Sequence, residues 1–381
     1  MLINIASFGY FGLFLAREMA GLGHLGMLYT NLPSSRIEGV GYKQYQNNML
    51  AFLPYVAAKM GFQGLSRQLN WPCIEYFDNW VANNMTNCEV FHSFSSFGRV
   101  SHSAARERYG AMTVVERGSS HIIYQEQILR EEYHLWGLTP PQFDRRIIEK
   151  EVQEYAECDR VVIQSSFAER TFIKYGVSKD KLIKLPLGVD LNRFYPVDKE
   201  DDVFRVLYAG SMSIRKGSLY LLKAIEQLRL PNFEFVFNGH VADEIKELVK
   251  AYSNYIRFVG SRPFNQLYKL YSQASVFVLP TIEDGFAKVV TEAMACGVPV
   301  IATTNCGAED VLTDGVEGFI VPIRDPMAIK EKIMVLYENP NLREQMAQAA
   351  LKKARVLLNT ENHADRSFNA YAQAYQTFKR Q

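Results

Sequence analysis

Between residues 276 and 303 the chain runs from an apolar strand, Val276 to Leu279, through an acidic turn, Glu283-Asp284-Gly285, into a helix. Gly297 and Pro299 end that helix, and a second apolar strand, Val298 to Ala302, follows. Glycine and proline at that spacing are ordinary helix-stop signals. Two apolar strands joined by one helix lie parallel, since a crossover of this length cannot make a hairpin. This unit commits its half of the chain to an open α/β sheet.

The same alternation recurs elsewhere. Leu2 to Ala6 reads as a strand, Ser7 to Gly12 as a glycine-bearing loop, and Leu13 to Leu22 as a helix ended by Gly23. Leu25 to Tyr29, Glu89 to His92, Thr113 to Val115, Arg160 to Ile163 and Leu182 to Leu185 are further strands. Arg145 to Glu157 is a charged helix, and Ser165 or Ser166 supplies a hydroxyl cap for a helix starting near Ala168. Residues 49 to 70 read as helix broken by Pro54, Gly61 and Gly64. The charged, proline-interrupted stretch 194 to 203 is the best linker. A second series then opens at Arg205 to Ala209 and continues through Phe233 to Asn238, Ile256 to Val259, Val276 to Pro280, Pro299 to Ala302 and Phe319 to Val321. The expected fold is α/β, with two Rossmann-like, doubly wound parallel-sheet domains facing a shared cleft. Residues 1–190 form the first domain and 191–361 the second, with a terminal helix over 362–381 packing back on the first.

A chain of 381 residues is long for one core, which agrees with two domains. Lys and Arg number 42 against 41 Asp and Glu, so no global basic field points to nucleic acid. The odd count of five cysteines, with no CxxC pair, argues against a disulfide framework and for a reducing cytoplasm. The first fifteen residues lack a basic n-region and a cleavage site, and no apolar run is long enough to span a bilayer.

Two constellations carry chemistry. In Ala209-Gly210-Ser211-Met212-Ser213-Ile214-Arg215-Lys216-Gly217 a strand ends in a Gly-Ser loop and a helix begins near Ser218. A helix N-terminus offers free N–H groups to an anion, Arg215 adds a fork suited to phosphate oxygens, and Lys216 adds a point charge. The alternative is an exposed basic pair on a loop. In the opening stretch, Glu292 follows Asp284 by eight residues, so the two belong to the helix body and to the turn before it. Val289, Val290, Ala293 and Met294 around Glu292 are apolar, and a buried glutamate is costly without a partner. A carboxylate there can accept both hydroxyls of a vicinal diol, as a ribose presents. A nucleotide sugar has hydroxyls at one end and phosphate at the other.

The second half resembles the retaining glycosyltransferases of family 4, the group 1 glycosyl transferases with GT-B architecture. Asp284-Gly285-Phe286-Ala287 through Glu292-Ala293-Met294-Ala295-Cys296-Gly297-Val298-Pro299-Val300-Ile301-Ala302 is similar to that family's E-G-F-G-x-x-x-x-E-A-x-A-x-G-x-P-V-I-A. Leu187-Gly188-Val189-Asp190, Arg215-Lys216-Gly217, Val161 to Ser165 and Asp314-Gly315 to Val321 resemble further family motifs in the family's order. The likeness is dense over 155 to 330 and loose before it.

The resemblance implies donor binding by Gly12, Gly210, Ser211, Arg215, Lys216, Gly285, Phe286, Ala287, Lys288 and Glu292, with the base near Arg262. Arg215 and Lys216 are expected on the diphosphate and Glu292 on the ribose. Asp284 stands where the family has glutamate and Glu283 directly precedes it, so either carboxylate meets the sugar. Lys288 adds charge near the phosphates or faces solvent. Arg117 takes the place of the family's usual histidine, and His121, Arg117 and His92 are the candidates for the first domain's side of the cleft. The catalytic set is therefore Asp284, Glu283, Lys216, His121 and Arg117. No metal or cofactor is expected, because the cationic pair and helix dipole carry the diphosphate charge.

The implied activity is retaining transfer of a hexose-type sugar from a nucleoside diphosphate sugar to an acceptor hydroxyl, in glycan, polysaccharide or glycolipid synthesis. The acceptor is a carbohydrate, a lipid-linked sugar or a small molecule. The alternatives are a non-catalytic nucleotide-sugar-binding subunit and a nucleotide-sugar hydrolase or epimerase. Residues 49 to 62 are either a buried helix or an amphipathic surface for a lipid-borne acceptor, which leaves open peripheral contact with the inner face of a membrane.

Overall fold

The structure is a computed structural model that describes residues 1–41, 45–47, 53–359 and 361–380. Two all-parallel sheets organise it. The first holds β1 (Ile3–Ser7), β2 (Leu25–Thr30), β3 (Tyr45–Asn47), β4 (Val90–Phe94), β5 (Met112–Glu116), β6 (Arg160–Ile163) and β7 (Leu182–Lys184), in the order β3-β2-β1-β4-β5-β6-β7. The second holds β8 (Phe204–Met212), β9 (Phe233–Val241), β10 (Arg257–Phe258), β11 (Val276–Leu279), β12 (Val300–Thr303) and β13 (Gly318–Val321), in the order β10-β9-β8-β11-β12-β13. Each order reverses once, between β1 and β4 and between β8 and β11. Ligands of open α/β sheets bind outside the carboxyl strand ends at such reversals.

Helices cover both faces of these sheets, so the strands are apolar runs rather than alternating ones. All four residues of β11 and of β12 are buried. The short β3 escapes sequence reading because Tyr45-Gln46-Asn47 carries no apolar run. Pro54 does not break the helical stretch that contains it. It occupies the second residue of helix Leu53–Lys59, where no intrahelical N–H is needed, and the break falls at Gly61, with φ +88°. A second helix, Gln63–Asn84, follows; residues 49–52 lie outside the described residues. The helix Ser166–Lys174 is capped by Ser165, whose Oγ accepts from Ala168 N at 3.1 Å. The linker region 194–203 holds no helix or strand.

Two helices cross between the halves. The last helix, Glu361–Phe378, returns to the first sheet, where Tyr371 and Ala374 join the core of Ile3, Ile5, Val90 and Val114. Helix Ile122–Leu135 belongs to the first half in sequence, yet Ile128 and Leu129 pack into the second domain's core. Its Glu132, fully buried, accepts from Tyr220 Oη at 2.7 Å, Trp136 Nε1 at 2.9 Å and Arg324 Nε at 2.6 Å. The two sheets therefore face each other across loops that leave their carboxyl ends.

Candidate active site

Three loops converge, those after β5, β8 and β11, and Phe14 of the helix Phe11–Gly21 approaches them from the first sheet. The β8 loop is brought against the β11 loop by Gly217, at φ +60°, where a Cβ would stand 2.0 Å from Pro280 O. Only glycine fits there on both counts. Gly210 and Ser211 are not loop residues: β8 runs on to Met212 and pairs Gly210 with Gly239 and Ser211 with His240.

Arg215 and Lys216 leave this loop in different company. Arg215 Nε donates to Glu283 Oε2 at 2.8 Å and Nη2 donates to Ser119 Oγ at 3.1 Å, which leaves Nη1 without an intramolecular partner among the described residues. Lys216 Nζ is ion-paired with Asp284 Oδ2. The two adjacent carboxylates thus take one cation each.

Their surroundings separate them further. Glu283 is fully buried and accepts from Ser119 Oγ at 2.7 Å, Ser120 N at 3.0 Å, Ser120 Oγ at 2.7 Å and Gln125 Nε2 at 2.9 Å, besides Arg215. Burial works against its charge, but Arg215 and these donors outweigh it and bring the pKa down to about 2. All those donors but Arg215 belong to the first domain. Glu283 is therefore a carboxylate of the domain contact, and Asp284, beside Lys216, is the one left to the cleft. Next to it, a Cβ on Gly285 would lie 2.5 Å from Gly118 O and from Ser119 Cα. Gly285 O accepts from Ser165 Oγ at 2.5 Å. Glycine at 285 lets two domain backbones touch.

The helix after this turn, Lys288–Ala295, has no side-chain cap. Asp284 N and Ala287 N donate to Asn305 O and Cys306 O, at 2.9 and 3.1 Å. Among the described residues the N–H groups of Gly285, Phe286 and Lys288 have no acceptor. Uncapped N–H groups at a helix start favour an anion. Phe286 and Ala287 are buried beneath them. Lys288 is exposed, and its Nζ sits 5.5 Å from the Phe14 ring centroid, across the cleft. Glu292 is nearly buried and accepts from Tyr271 Oη at 3.0 Å on Oε2, while Oε1 has no partner among the described residues. Burial raises its pKa, against Tyr271 and Lys288. Arg262 is exposed beyond β10, two strands from β8 and its Arg215-Lys216 loop, with its N–H on Asn238 Oδ1 at 2.9 Å.

The first domain's candidates are placed differently from expectation. His121 does not line the cleft: it is 2% exposed, its Nδ1 caps helix Ile122–Leu135 by accepting from Ile123 N at 3.3 Å, and its ring stacks on Tyr175. Burial, then Arg117, lowers its pKa to about 4. Arg117 is spent on structure as well, with Nη1 on Glu151 at 2.9 Å and Nη2 on Gln125 at 2.9 Å. Gly12 N donates to Ser7 Oγ at 2.7 Å, and a Cβ there would meet Ser7 Cβ at 2.5 Å, so packing of the helix start accounts for that glycine. His92 is fully buried between Tyr371 and Glu116. Sequence reading missed Ser119, Ser120 and Gln125, which carry no motif of their own.

Residues 193–353 match the family model for glycosyl transferases, group 1. That region carries Arg215 and Lys216, the acidic turn and Glu292. An uncharacterized glycosyltransferase of Methanocaldococcus jannaschii is 29% identical over half of this chain and 59% of its own length. A D-inositol 3-phosphate glycosyltransferase of Catenulispora acidiphila is 27% identical over 52% of this chain and 54% of its own. The chain thus spans little more than half the length of these curated relatives. Among solved structures, sucrose-phosphate synthase of Thermosynechococcus elongatus superposes with a TM-score of 0.75 at 21% identity, over 99% of this chain and 100% of that one. HepE of Anabaena, in complex with UDP-glucose, gives 0.70 at 16% identity, over 98% and 100%. The fold is GT-B. No helix among the described residues is long and apolar enough to cross a membrane.

Proposed function

We propose that the protein is a retaining, metal-independent hexosyltransferase of glycosyltransferase family 4. It moves a hexose-type sugar from a nucleoside diphosphate sugar to an acceptor hydroxyl in glycan, polysaccharide or glycolipid synthesis. The observation that carries the reading is the grouping of Arg215, Lys216 and the uncapped N–H groups of Gly285, Phe286 and Lys288 at the reversal point of the second sheet. Such a grouping suits a diphosphate leaving group. Its developing charge would be met by the Arg215 fork, the Lys216 ammonium and a helix dipole, all held in place before reaction. That charge set is our reason for proposing that no metal or other cofactor takes part.

Glu292, with one oxygen oriented by Tyr271 and the other without a partner among the described residues, suits the ribose diol. Asp284 and the backbone of Gly285 to Lys288 suit the hydroxyls of the transferred sugar. Glu283 holds Arg215 in position from within the domain contact. UDP and UDP-glucose occur in the HepE structures, and a UDP donor is the first to try. The acceptor we propose is a carbohydrate or lipid-linked sugar. Leu53, Val56, Met60 and Phe62 are exposed on and beside helix Leu53–Lys59, which supports peripheral contact with a membrane surface; a cytoplasmic protein at the inner membrane face is our proposal.

The test is a thermal-shift panel of UDP, GDP and ADP, followed by radiolabelled transfer from the matching sugar nucleotides with a cell extract and excess EDTA. Stabilisation grows with affinity, so the preferred base declares itself. Transfer with retained anomeric configuration is expected. Binding without transfer would favour a non-catalytic subunit, and no shift by any diphosphate would end the donor reading.

A further inference from the structure

Arg215 meets Glu283 through Nε alone, although an arginine and a carboxylate ordinarily close a two-pronged pair. The reason lies in the first domain, which fills the carboxylate before Arg215 can. Oε1 takes Ser119 Oγ, Ser120 N and Ser120 Oγ. Oε2, the oxygen that Arg215 Nε reaches, also takes Gln125 Nε2 at 2.9 Å. A carboxylate has about four lone-pair sites, so no place remains for a second prong from Arg215.

Ser119 and Gln125 are equally full. The Ser119 hydroxyl donates to Glu283 Oε1 and accepts from Gln125 Nε2 at 2.8 Å and from Arg215 Nη2 at 3.1 Å. A serine hydroxyl has one donor and two acceptor sites, and all are taken. Gln125 spends its NH2 on Ser119 and Glu283, and its Oε1 accepts from Arg117 Nη2 at 2.9 Å. Standing between a guanidinium and a carboxylate, the amide has one favourable orientation, oxygen to the cation and NH2 to the anion. Arg117 is anchored in turn, with Nη1 on the buried Glu151 at 2.9 Å and Nε on the Ser120 carbonyl at 3.3 Å. It therefore grips both the Gln125 amide and the loop that carries Ser119 and Ser120.

A neutral amide is needed at 125. A carboxylate there would set like charges together, and an apolar side chain would leave an acceptor site on fully buried Glu283 unfilled. Arg215 would then turn its fork inward to fill that site. As built, 37% of the Arg215 side chain stays exposed, and Nη1 has no partner among the described residues.

We infer that Gln125 and Arg117 are positioning residues for the donor diphosphate: by saturating Glu283 from the first domain, they keep Arg215 from closing on it and leave Nη1 presented to a phosphate oxygen. The inference rests on the donor reading above. The test is a double-mutant cycle on the full chain, read as the Kd of the nucleoside diphosphate that most stabilises wild type. Ligand-observed NMR extends the reading to weak binding. Gln125→Met keeps the shape and removes the hydrogen bonds; Arg117→Lys keeps the charge on Glu151 and removes the fork. Each should weaken diphosphate binding about fivefold when Arg215 is present and change it by less than about twofold in an Arg215→Ala background, where Lys216 still binds. Wild-type affinity in Gln125→Met would overturn the inference. Equal weakening in both backgrounds would also overturn it, since the loss would then come from the fold and not through Arg215. Far-ultraviolet circular dichroism checks each variant, and half-buried Gln125 carries the test alone if Arg117→Lys does not fold. Failure of the donor reading shows separately, as wild type that binds no diphosphate, and would take this inference with it.

Discussion

Arg215 Nε donates to Glu283 Oε2 at 2.8 Å, and that carboxylate is simultaneously the acceptor for Ser119, Ser120 and Gln125 of the other domain. One buried acid therefore positions Arg215 and joins the two domains. Glu283→Gln should lose the ion pair while keeping the shape. Breaking a pair with a fully buried acid typically costs 3–5 kcal/mol, and the partly exposed Arg215 brings the expected loss to about 2 kcal/mol. Denaturant unfolding measures this. A variant as stable as wild type would refute the joint role.

The same acid sets a pH dependence. Its pKa falls from 4.5 to about 2 on folding, so its contribution is present above pH 4.5 and is lost as pH falls toward 2. Wild-type stability should decline across that window, and Glu283→Gln should decline less. Parallel curves for the two proteins would contradict this.

Lys216→Ala should lower turnover by about a hundredfold or more, as loss of one preorganised charge contact commonly does. Its far-ultraviolet circular dichroism should match wild type, since Lys216 is a partly exposed loop side chain. Transfer at wild-type rate would remove Lys216 from the clamp.

Gly285→Ala places a methyl group 2.5 Å from Gly118 O and Ser119 Cα. Backbone cannot yield as a side-chain tip can, so overpacking of about 1–3 kcal/mol should fall on the domain contact. Small-angle scattering should report a larger radius of gyration, and the donor KM should rise. An unchanged radius together with an unchanged KM would show that the contact tolerates the methyl.

His121→Asn separates capping from catalysis. Asparagine caps well, so stability at neutral pH should stay within about 1 kcal/mol of wild type and turnover within about threefold. His121 titrates near 6.5 unfolded and about 4 folded, so wild type loses stability as pH falls from 6.5 toward 4. The asparagine variant should be flatter there. A loss of turnover well beyond threefold at unchanged stability would return His121 to the chemistry.

Much of the architecture was legible along the chain. Apolar residues between turn signals marked twelve of the strands, most clearly the central ones such as β11 and β12, because a strand buried on both faces writes its own composition. Only β3, with its polar Tyr45-Gln46-Asn47, left no such trace. The Ser165 cap and the Arg215-Lys216 pair before helix Ser218–Glu226 were equally local, each needing only a few neighbours. What the chain alone could not resolve was which of two adjacent acids faces the cleft. Glu283 and Asp284 are told apart by Ser119, Ser120 and Gln125, some 160 residues earlier. The surroundings of His92 likewise depend on Tyr371, 279 residues later. Periodicity and turn chemistry are properties of neighbouring residues, so the sequence by itself determined the two sheets, the place of the Arg215-Lys216 pair before its helix and the acidic turn. Burial and charge partners are properties of the closed domain pair, and only the tertiary structure decided that Glu283 joins the domains, that His121 caps a helix and that Asp284 is left to the cleft.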